Sequence, residues 1–253
     1  MTNTTDATAG ARRLHGVDST IDAGDRGFRP IPKDQPQPGA SLGELGAFFL
    51  RKPSPAFIVT TFAIAATARI AIGQWGWWDL AIPALVIAAE PFVEWVIHVR
   101  LLHRRPTQLG RWTIDPITAR KHREHHRNPK DLRILMVPFQ ALFPAAPIAI
   151  GLAVWRLDPP QASMALASGF GMLAWYEWVH YLIHAPYRPK TTWFRNLSRN
   201  HVLHHFKNEH YWFGVTTSVG DRVLGTKPDP STVTASPTVR TLSYDEAALP
   251  VAS

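Results

Sequence analysis

Histidine is the residue type whose placement says most about chemistry in this chain. Of its 12 histidines, ten fall into four tight clusters, and only His15 and His210 lie outside them. The clusters are His98-x4-His103, His122-x2-His125-His126, His180-x3-His184 and His201-x2-His204-His205. Imidazole is a metal ligand and a proton carrier, and a zinc site closes with about four ligands. Ten imidazoles therefore predict two metals that keep open positions, which is typical of oxygen chemistry in a redox enzyme.

The spacing within each cluster predicts which histidines share a helix face. In the two HxxHH motifs the histidines stand at i, i+3 and i+4, so a helix can point all three at one place. His180 and His184 are one turn apart and also face together. His98 and His103 are five residues apart, about 140° around an ideal helix. This pair is expected either to bind opposite sides of a metal pair or to be separated by a break in the helix.

Two glutamates precede histidines at helical spacing. Glu94 lies four residues before His98, and Glu177 lies three residues before His180. Because a metal-bound histidine usually donates its second ring N–H to a carboxylate or carbonyl, both glutamates are predicted to accept that hydrogen bond. Glu177 also matches the ExxH ligand pattern of di-iron bundles, which is the less favoured alternative. His210 stays open as an eleventh ligand, a hydrogen-bonding residue near the substrate mouth or a surface residue.

The absence of cysteine limits the metals that the chain can hold. Any metal must be bound by nitrogen and oxygen ligands, since there is no thiolate. Imidazole ligation suits iron, zinc, copper and nickel. Two iron ions are the predicted cofactors, with zinc as a substitute, because two redox metals can activate O2 and neutral imidazoles tolerate a cycling metal charge. Zinc in a hydrolase would need fewer ligands.

Four apolar stretches must position these clusters. They run over about 56–73, 77–98, 135–155 and 162–183. Each is close to the roughly 20 residues that a membrane-spanning helix needs. Lysine and arginine are dense before residue 56, in 104–133 and after residue 184, but sparse in 73–79 and 156–161. This alternation predicts an integral membrane protein with four spans and both termini in the cytoplasm, so every histidine cluster lies on the cytoplasmic side.

Composition sets the outer boundaries of the fold. Residues 1–41 are polar and rich in Thr, Asp, Gly and Pro, which predicts a disordered N-terminal arm. Residues 226–253 have a similar composition and are expected to form a flexible C-terminal tail. The formal net charge of +8 suits an anionic membrane surface as well as nucleic acid. Because no nucleic-acid-binding motif accompanies the charge, nucleic acid is not an expected partner.

The sequence around the histidines resembles the fatty acid hydroxylase / sterol desaturase superfamily of integral-membrane di-iron oxygenases. The similarity runs from about Glu94 to Thr226 and is closest to the fatty acid 2-hydroxylase branch. It is carried by HVRLLHRRP at 98–106, HREHHRNPKDLRILMVP at 122–138, WYEWVHYLIH at 175–184 and NHVLHHFKNEHYWFGVTTSVGDRVLGT at 200–226. The resemblance implies that all ten clustered histidines are metal ligands.

The same resemblance implies a fold and a reaction. The fold is all-α, a four-helix transmembrane bundle over 42–225 with a cytosolic helical cap that holds a dimetal site. The reaction is O2-dependent hydroxylation of a lipid acyl chain, with C2 as a candidate position. The N-terminal arm is too short for the cytochrome b5 module that eukaryotic 2-hydroxylases often carry. Electrons are therefore expected from an external donor, a ferredoxin or a cytochrome b5-like protein.

Three alternatives stay open at this point. Within the superfamily, the chain could be a desaturase or a sterol or carotenoid hydroxylase, because all start from the same oxidised metal pair. In a different class, it could be a non-enzymatic metal-binding membrane protein. A transporter places its ligands near the bilayer midplane, whereas these histidines are predicted at the cytosolic ends of the spans and beyond.

Overall fold

Four long helices form the body of the structure, a computed structural model that describes residues 32–242. In chain order the helices are α1 (Leu42–Leu50), α2 (Pro53–Ile72), α3 (Trp78–Val96), α4 (Ile117–Arg127), α5 (Phe139–Arg156), α6 (Pro159–His184), α7 (Thr192–Phe206) and α8 (Val219–Val223). A π-helix, Ile97–Leu102, continues α3, and a short 3-10 helix covers Pro230–Thr232. Residues 1–31 and 243–253 lie outside the described residues, and with them His15.

A small hairpin interrupts the helical order between α3 and α4. Strand β1 (Thr107–Leu109) pairs antiparallel with β2 (Trp112–Ile114), so that Leu109 lies opposite Trp112. Gly110 makes the turn with a φ of 59°, a left-handed conformation that costs glycine little. The predicted all-α class is therefore right for most of residues 32–242, with this one two-stranded sheet as the exception.

Three helices within residues 32–242 are long and apolar enough to cross a membrane. They cover Pro53–Ile72, Trp78–Leu102 and Phe139–Arg156. Their outer faces expose large apolar side chains such as Leu80 and Ile148, at 80% and 64% of their full area. Exposed apolar surface of this extent is typical of contact with lipid. The fourth predicted span corresponds to α6, which has 26 residues but carries Glu177 and two histidines and is not among the three.

Helix α6 lies between the other long helices and packs against α2, α3 and α5. A small apolar core of Ile58, Leu142, Ala146 and Phe170 joins α2, α5 and α6. Arg69, a charge inside the first predicted span, is buried and pairs with Asp79 at 2.5 Å. A charge at membrane depth is costly unless it is paired, so this ion pair explains how α2 tolerates an arginine.

A second apolar core lies next to the histidine clusters. Its buried residues include Leu45, Phe49, Tyr181, Leu197 and Val215, which come from α1, α6, α7 and the loop that follows α7. Helix α1 begins with a capping box: the Ser41 hydroxyl accepts from the Glu44 N–H at 3.2 Å, and the Glu44 carboxylate accepts from the Ser41 N–H at 2.7 Å. This core fixes the C-terminal end of α6 against α1 and α7.

Parts of both segments that were predicted to be flexible are held by protein contacts. In the N-terminal arm, the buried Gln35 side chain donates to the Lys130 carbonyl at 2.8 Å and accepts from the Leu132 N–H at 3.1 Å. In the C-terminal tail, Val239 and Leu242 are buried. The segment predicted as a flexible C-terminal tail from residue 226 therefore contains buried residues as far as residue 242. Composition alone missed these contacts because they depend on single side chains such as Gln35 and Val239, which form no apolar periodicity.

Candidate metal centre

The ten clustered histidines come together where the π-helix that continues α3 and the C-terminal end of α6 meet α4 and α7, and they form two groups of five. Group 1 consists of His98, His103, His122, His126 and His204. Group 2 consists of His125, His180, His184, His201 and His205. Within each group, one ring nitrogen of every residue lies within 4.8 Å of the others. Two nitrogen ligands at about 2.1 Å from one metal are at most about 4.2 Å apart, so each group has nearly the dimensions of one metal site.

Each HxxHH motif divides its histidines between the two groups. On α4, His122 and His126 belong to group 1 and His125 belongs to group 2. On α7 the division is reversed, with His201 and His205 in group 2 and His204 in group 1. The expectation that all three point at one place is therefore wrong. Positions i and i+4 are about 40° apart on an ideal helix, whereas i+3 and i+4 are about 100° apart, so one helix reaches two neighbouring sites.

A π-helical turn brings His98 and His103 to the same group. The backbone N–H of His103 donates to the His98 carbonyl at 3.1 Å, which is an i to i+5 hydrogen bond. Their ring centroids are 4.9 Å apart. In an α-helix this pair would diverge, but the wider turn of Ile97–Leu102 places both rings on one side. The pair neither spans two metals nor flanks a helix break, so both alternatives from the sequence are corrected.

Backbone carbonyls hold the second ring nitrogen of several histidines. The Nδ1 contacts are His98 with Phe213 at 2.7 Å, His204 with Tyr211 at 2.8 Å and His126 with Val239 at 3.0 Å. A carbonyl only accepts hydrogen bonds, so Nδ1 carries the proton in each of these rings. The Nε2 atom then presents a lone pair, which is the form that binds a metal.

The Nε2 atoms converge inside each group. In group 1, His122 Nε2 lies 3.2 Å from the Nε2 atoms of both His98 and His126. In group 2, His201 Nε2 lies 3.1 Å from His180, 2.9 Å from His184 and 3.0 Å from His205. Among the described residues, the buried His103 Nε2 and His204 Nε2 have no hydrogen-bond partner. Converging Nε2 atoms fit a bound cation in each group, and the two unpartnered nitrogens add to this in group 1.

Burial keeps these imidazoles neutral. Desolvation, reinforced by the neighbouring imidazoles, lowers the pKa of His122, His125 and His201 well below the usual 6.5. Desolvation lowers the pKa of His126 to about 3, although its hydrogen bond to Val239 acts in the opposite direction. Neutral imidazole is the protonation state that a metal requires. The site is thus set for metal binding throughout the physiological pH range.

Glu94 bonds to a loop next to the imidazoles, and not to an imidazole itself. Its carboxylate accepts from the backbone N–H groups of Val215 and Thr216 and from the Thr216 hydroxyl at 2.7 Å. His98 instead donates to the Phe213 carbonyl of the same loop. The predicted direct hydrogen bond between Glu94 and His98 is wrong, because a carbonyl occupies that position. Glu94 holds the loop, and the loop holds the ring.

Glu177 is likewise bonded to backbone rather than to histidine. Its carboxylate accepts from the Val137 N–H at 3.1 Å, just before α5 begins at Phe139. His180 Nε2 contacts His201 instead. The hydrogen bonds of the described residues therefore include none between Glu177 and His180, and the prediction of that contact is corrected. Glu177 joins α6 to the segment between the first HxxHH helix and α5.

Asp221 is a functional residue that sequence reasoning missed. It is 1% exposed and accepts from the N–H groups of Phe213 and Gly214 and from the Thr226 hydroxyl at 2.6 Å. A Cβ atom on Gly214 would lie 2.0 Å from the Thr217 carbonyl oxygen, so the turn needs glycine. Asp221 and Glu94 therefore hold four consecutive N–H groups, those of residues 213–216, in the loop that carries the Phe213 carbonyl. The only sequence signal was a carboxylate close to a glycine-rich turn.

His210, the remaining described histidine, lies away from both groups. Its side chain is 63% exposed, and Nε2 lies 3.5 Å from the carboxylate of Glu209. The surface alternative is therefore the one that the structure supports.

The family assignment follows from the region that contains this centre. The fatty acid hydroxylase family matches residues 83–226, which include all ten clustered histidines and more than half of the 253 residues. The chain belongs to the fatty acid hydroxylase family. Membership confirms the resemblance that the strings around the clusters indicated.

Curated relatives of this hydroxylase-family chain carry more specific names. A dihydroceramide fatty acyl 2-hydroxylase from Arabidopsis thaliana is 32% identical over 145 residues, 54% of this chain and 56% of the relative. A fatty acid 2-hydroxylase from Mus musculus is 29% identical over 136 residues, 51% of this chain and 35% of the relative. The chain thus spans about a third to just over half of the length of these relatives.

A solved structure shares the fold. Full-length scs7p, in which only the hydroxylase domain is visible, superposes with a TM-score of 0.55 at 21% identity. The match covers 76% of this chain and 69% of that one. The helical arrangement around the histidines is therefore a known architecture of hydroxylase domains.

An apolar cavity of about 520 Å³ reaches the histidines of this family member. Its walls come mainly from α3 and α6, with Val86, Val93, Ile97, Met172 and Leu173 among the lining residues. Val86 and Ile97 are about 16 Å apart along a helix axis. At the end of the cavity next to the metal groups, the lining includes His122 of group 1 and His125 and His180 of group 2. A narrow apolar molecule in this cavity would therefore approach both groups.

Proposed function

We propose that this chain is a membrane-bound, non-haem di-iron oxygenase that hydroxylates a lipid acyl chain with O2. The observation that carries the proposal is the cavity, whose apolar walls along α3 and α6 reach histidines of both groups. The names of the Arabidopsis and mouse relatives support an acyl substrate and oxidation at C2. A cavity with these walls favours an unbranched hydrocarbon chain, because apolar groups gain free energy when they leave water.

Two iron ions are the proposed cofactors, one in each group of five histidines, with zinc as a substitute. When bound, they would supply the activation of O2, so that one oxygen atom enters an unactivated C–H bond and the other is reduced to water with two electrons from the external donor and two protons. The ten imidazoles contribute neutral nitrogen ligands, and the carbonyls of Phe213, Tyr211 and Val239 fix their tautomers. Since all of these ligands are neutral, the protein leaves the metal charge free to change during a redox cycle.

The residues around the cavity suggest how the substrate is oriented. Lys121 lines the cavity next to His122, and its ammonium group pairs with Glu124 at 2.8 Å. Both side chains are partly exposed, so this end is the polar mouth. We place the substrate head group near Lys121 and Thr118, with the tail directed toward Val86. The carbons next to the head group then lie beside His122 and His125, which is the arrangement that C2 oxidation requires.

The proposed topology has four spans with both termini in the cytoplasm. In it α6 is the fourth span, because its 26 residues are about 39 Å long and it packs against the three apolar helices. The basic segments 104–133 and 185–207 then lie on the cytoplasmic side together with the metal groups. A ferredoxin or a cytochrome b5-like protein is the proposed electron donor at that face.

The alternatives differ in their products. A desaturase of the same superfamily would introduce a double bond, and a sterol or carotenoid hydroxylase would oxidise a ring substrate. The long cavity between α3 and α6 favours an acyl chain over a fused ring system. A metal-binding protein without enzymatic activity would consume no O2, and the apolar walls of the cavity argue against an ion pathway.

Isotope labelling tests the proposed reaction. The full chain is reconstituted with iron, an electron donor and an acyl lipid under 18O2, and the product is analysed by mass spectrometry. The expected product gains one 18O atom next to the head group and no double bond. A new double bond without added oxygen would assign the chain to the desaturases, and the absence of O2 consumption would assign it to the metal-binding class.

A further inference from the structure

Residues 228–242, here called the C-terminal strap, contact the ends of both HxxHH helices. The strap lies beyond residues 83–226, the region that the family match covers. It begins where the Trp212 indole N–H donates to the Pro228 carbonyl at 3.3 Å. It ends at the buried Leu242, which closes a turn by donating its N–H to the Thr238 carbonyl at 2.8 Å. The strap is therefore a packed part of the hydroxylase unit.

On one side the strap binds the end of α7, which carries the second HxxHH motif. The Ser236 N–H donates to the Lys207 carbonyl at 2.7 Å, directly after the last residue of that helix. The Thr238 hydroxyl donates to the Glu209 carboxylate at 2.6 Å, and Glu209 is 1% exposed. Carbonyls at the end of a helix have no partner within the helix, so the contact with Lys207 satisfies a group that α7 leaves open.

On the other side the strap binds the end of α4, which carries the first HxxHH motif. The Val239 carbonyl accepts from His126 Nδ1 at 3.0 Å, and the Arg240 guanidinium donates to the Arg127 carbonyl. The first contact fixes the ring of His126 with its Nε2 toward group 1. The histidine that bonds to Val239 of the strap thus belongs to group 1.

We propose that the strap positions one metal of the pair: it holds His126 in its metal-binding tautomer and clamps α4 to α7 around group 1. This inference rests on the proposed two-metal function. Because partners of the second ring nitrogen typically change metal affinity by about 10–100-fold, loss of the strap should weaken group 1 strongly. Because the contact of Val239 with a histidine is made in group 1, group 2 should keep its metal.

The test compares two truncations of the full-length protein, loaded with two metals and challenged with a chelator. Truncation after Thr234 removes Ser236, Thr238, Val239 and Arg240, whereas the control truncation after Leu242 leaves the strap intact. We expect the first variant to release one of its two metals at least about tenfold faster than the control while the second metal stays bound. Equal release from both variants, or equally accelerated loss of both metals, would overturn the proposal.

A milder pair of variants covers the case in which the shorter chain does not fold. Thr238→Val removes the hydrogen bond to Glu209, whereas Thr232→Val changes a hydroxyl that bonds only locally to the Asp229 carbonyl. Thr238→Val should accelerate release of one metal and Thr232→Val should not. Identical release from both would contradict the proposal. A native protein that holds no metal pair would instead contradict the proposed function, so the two failures are distinguishable.

Discussion

The backbone N–H of His103 donates to the carbonyl of His98 across a single π-helical turn, at 3.1 Å. In a π-helical turn, residues five apart lie on the same side of the helix. Both rings therefore belong to group 1. The remainder of α3, which contains Glu94, stays α-helical. The Glu94 carboxylate thereby contacts the loop that carries Phe213. A local change in helix type therefore sets the composition of a candidate metal site.

The division of the histidines predicts that single substitutions remove different metals. His204→Ala should deplete the group 1 metal, and His125→Ala should deplete the group 2 metal, because each removes a ligand from one group only. Both variants should lose hydroxylation, since the cavity reaches both groups. Metal quantification of purified variants, combined with an activity assay, measures this. His210→Ala is the matched control and should retain both metals and activity.

Removal of the Glu94 carboxylate should destabilise the fold. Glu94→Ala would leave the buried N–H groups of Val215 and Thr216 without their acceptor. Each unsatisfied buried group costs about 1–3 kcal/mol, so a clear drop in the unfolding temperature is expected. Thermal unfolding in detergent checks this against Glu124→Ala, which removes a partly exposed pair worth about 0–1 kcal/mol. Equal unfolding temperatures for the two variants would show that Glu94 does not hold the loop.

Filling the cavity should change the choice of substrate without disturbing the metals. Gly169 lines the cavity, and an added Cβ meets no atom within 4 Å, so Gly169→Phe would occupy space meant for the acyl tail. Activity on long acyl chains should fall more than activity on short ones, while metal content stays unchanged. Gly151→Phe is the control, because Gly151 also has open space but does not line the cavity. Equal chain-length profiles would place the substrate elsewhere.

Acid should release the metals. The pKa of His126 is about 3 in the folded chain and about 6.5 when unperturbed, so the unfolded chain binds more protons between these values. The histidines' contribution to stability is therefore fully present above about pH 6.5 and is lost as the pH falls toward about 3. Metal binding weakens in the same direction, because protons compete for the same nitrogens. Metal content after equilibration between about pH 7.5 and about pH 4 measures this, and constant retention would contradict it.

The sequence predicted the membership of the site better than its internal arrangement. Clustering alone predicted that the ten histidines belong together, and the structure brings them into two groups that could each hold a metal ion. It did not predict that His125 and His126 serve different groups, since that depends on the rotation of α4 relative to its neighbours. Nor did it predict the carbonyls of Phe213 and Val239, because every residue has a carbonyl and only the tertiary fold selects the one that is used.

The fold shows a similar limit. Apolar stretches predicted the long helices, and three of them are apolar enough to span a membrane. The C-terminal part of α6 carries the polar residues Glu177 and His180. These residues lower the mean hydropathy of the fourth stretch. The C-terminal strap was predicted to be a flexible tail from its composition, which does not reveal contacts of single groups such as the Thr238 hydroxyl and the Val239 carbonyl.

The central claim is that the two groups of histidines hold a pair of iron ions used for O2 chemistry. Anaerobic purification of the full chain in detergent, followed by metal quantification with O2 uptake in the presence of an acyl lipid, tests it most directly. The account predicts two iron ions per chain, one for each group of five histidines, and O2 consumption that depends on the lipid. A single zinc ion per chain with no O2 consumption would contradict it.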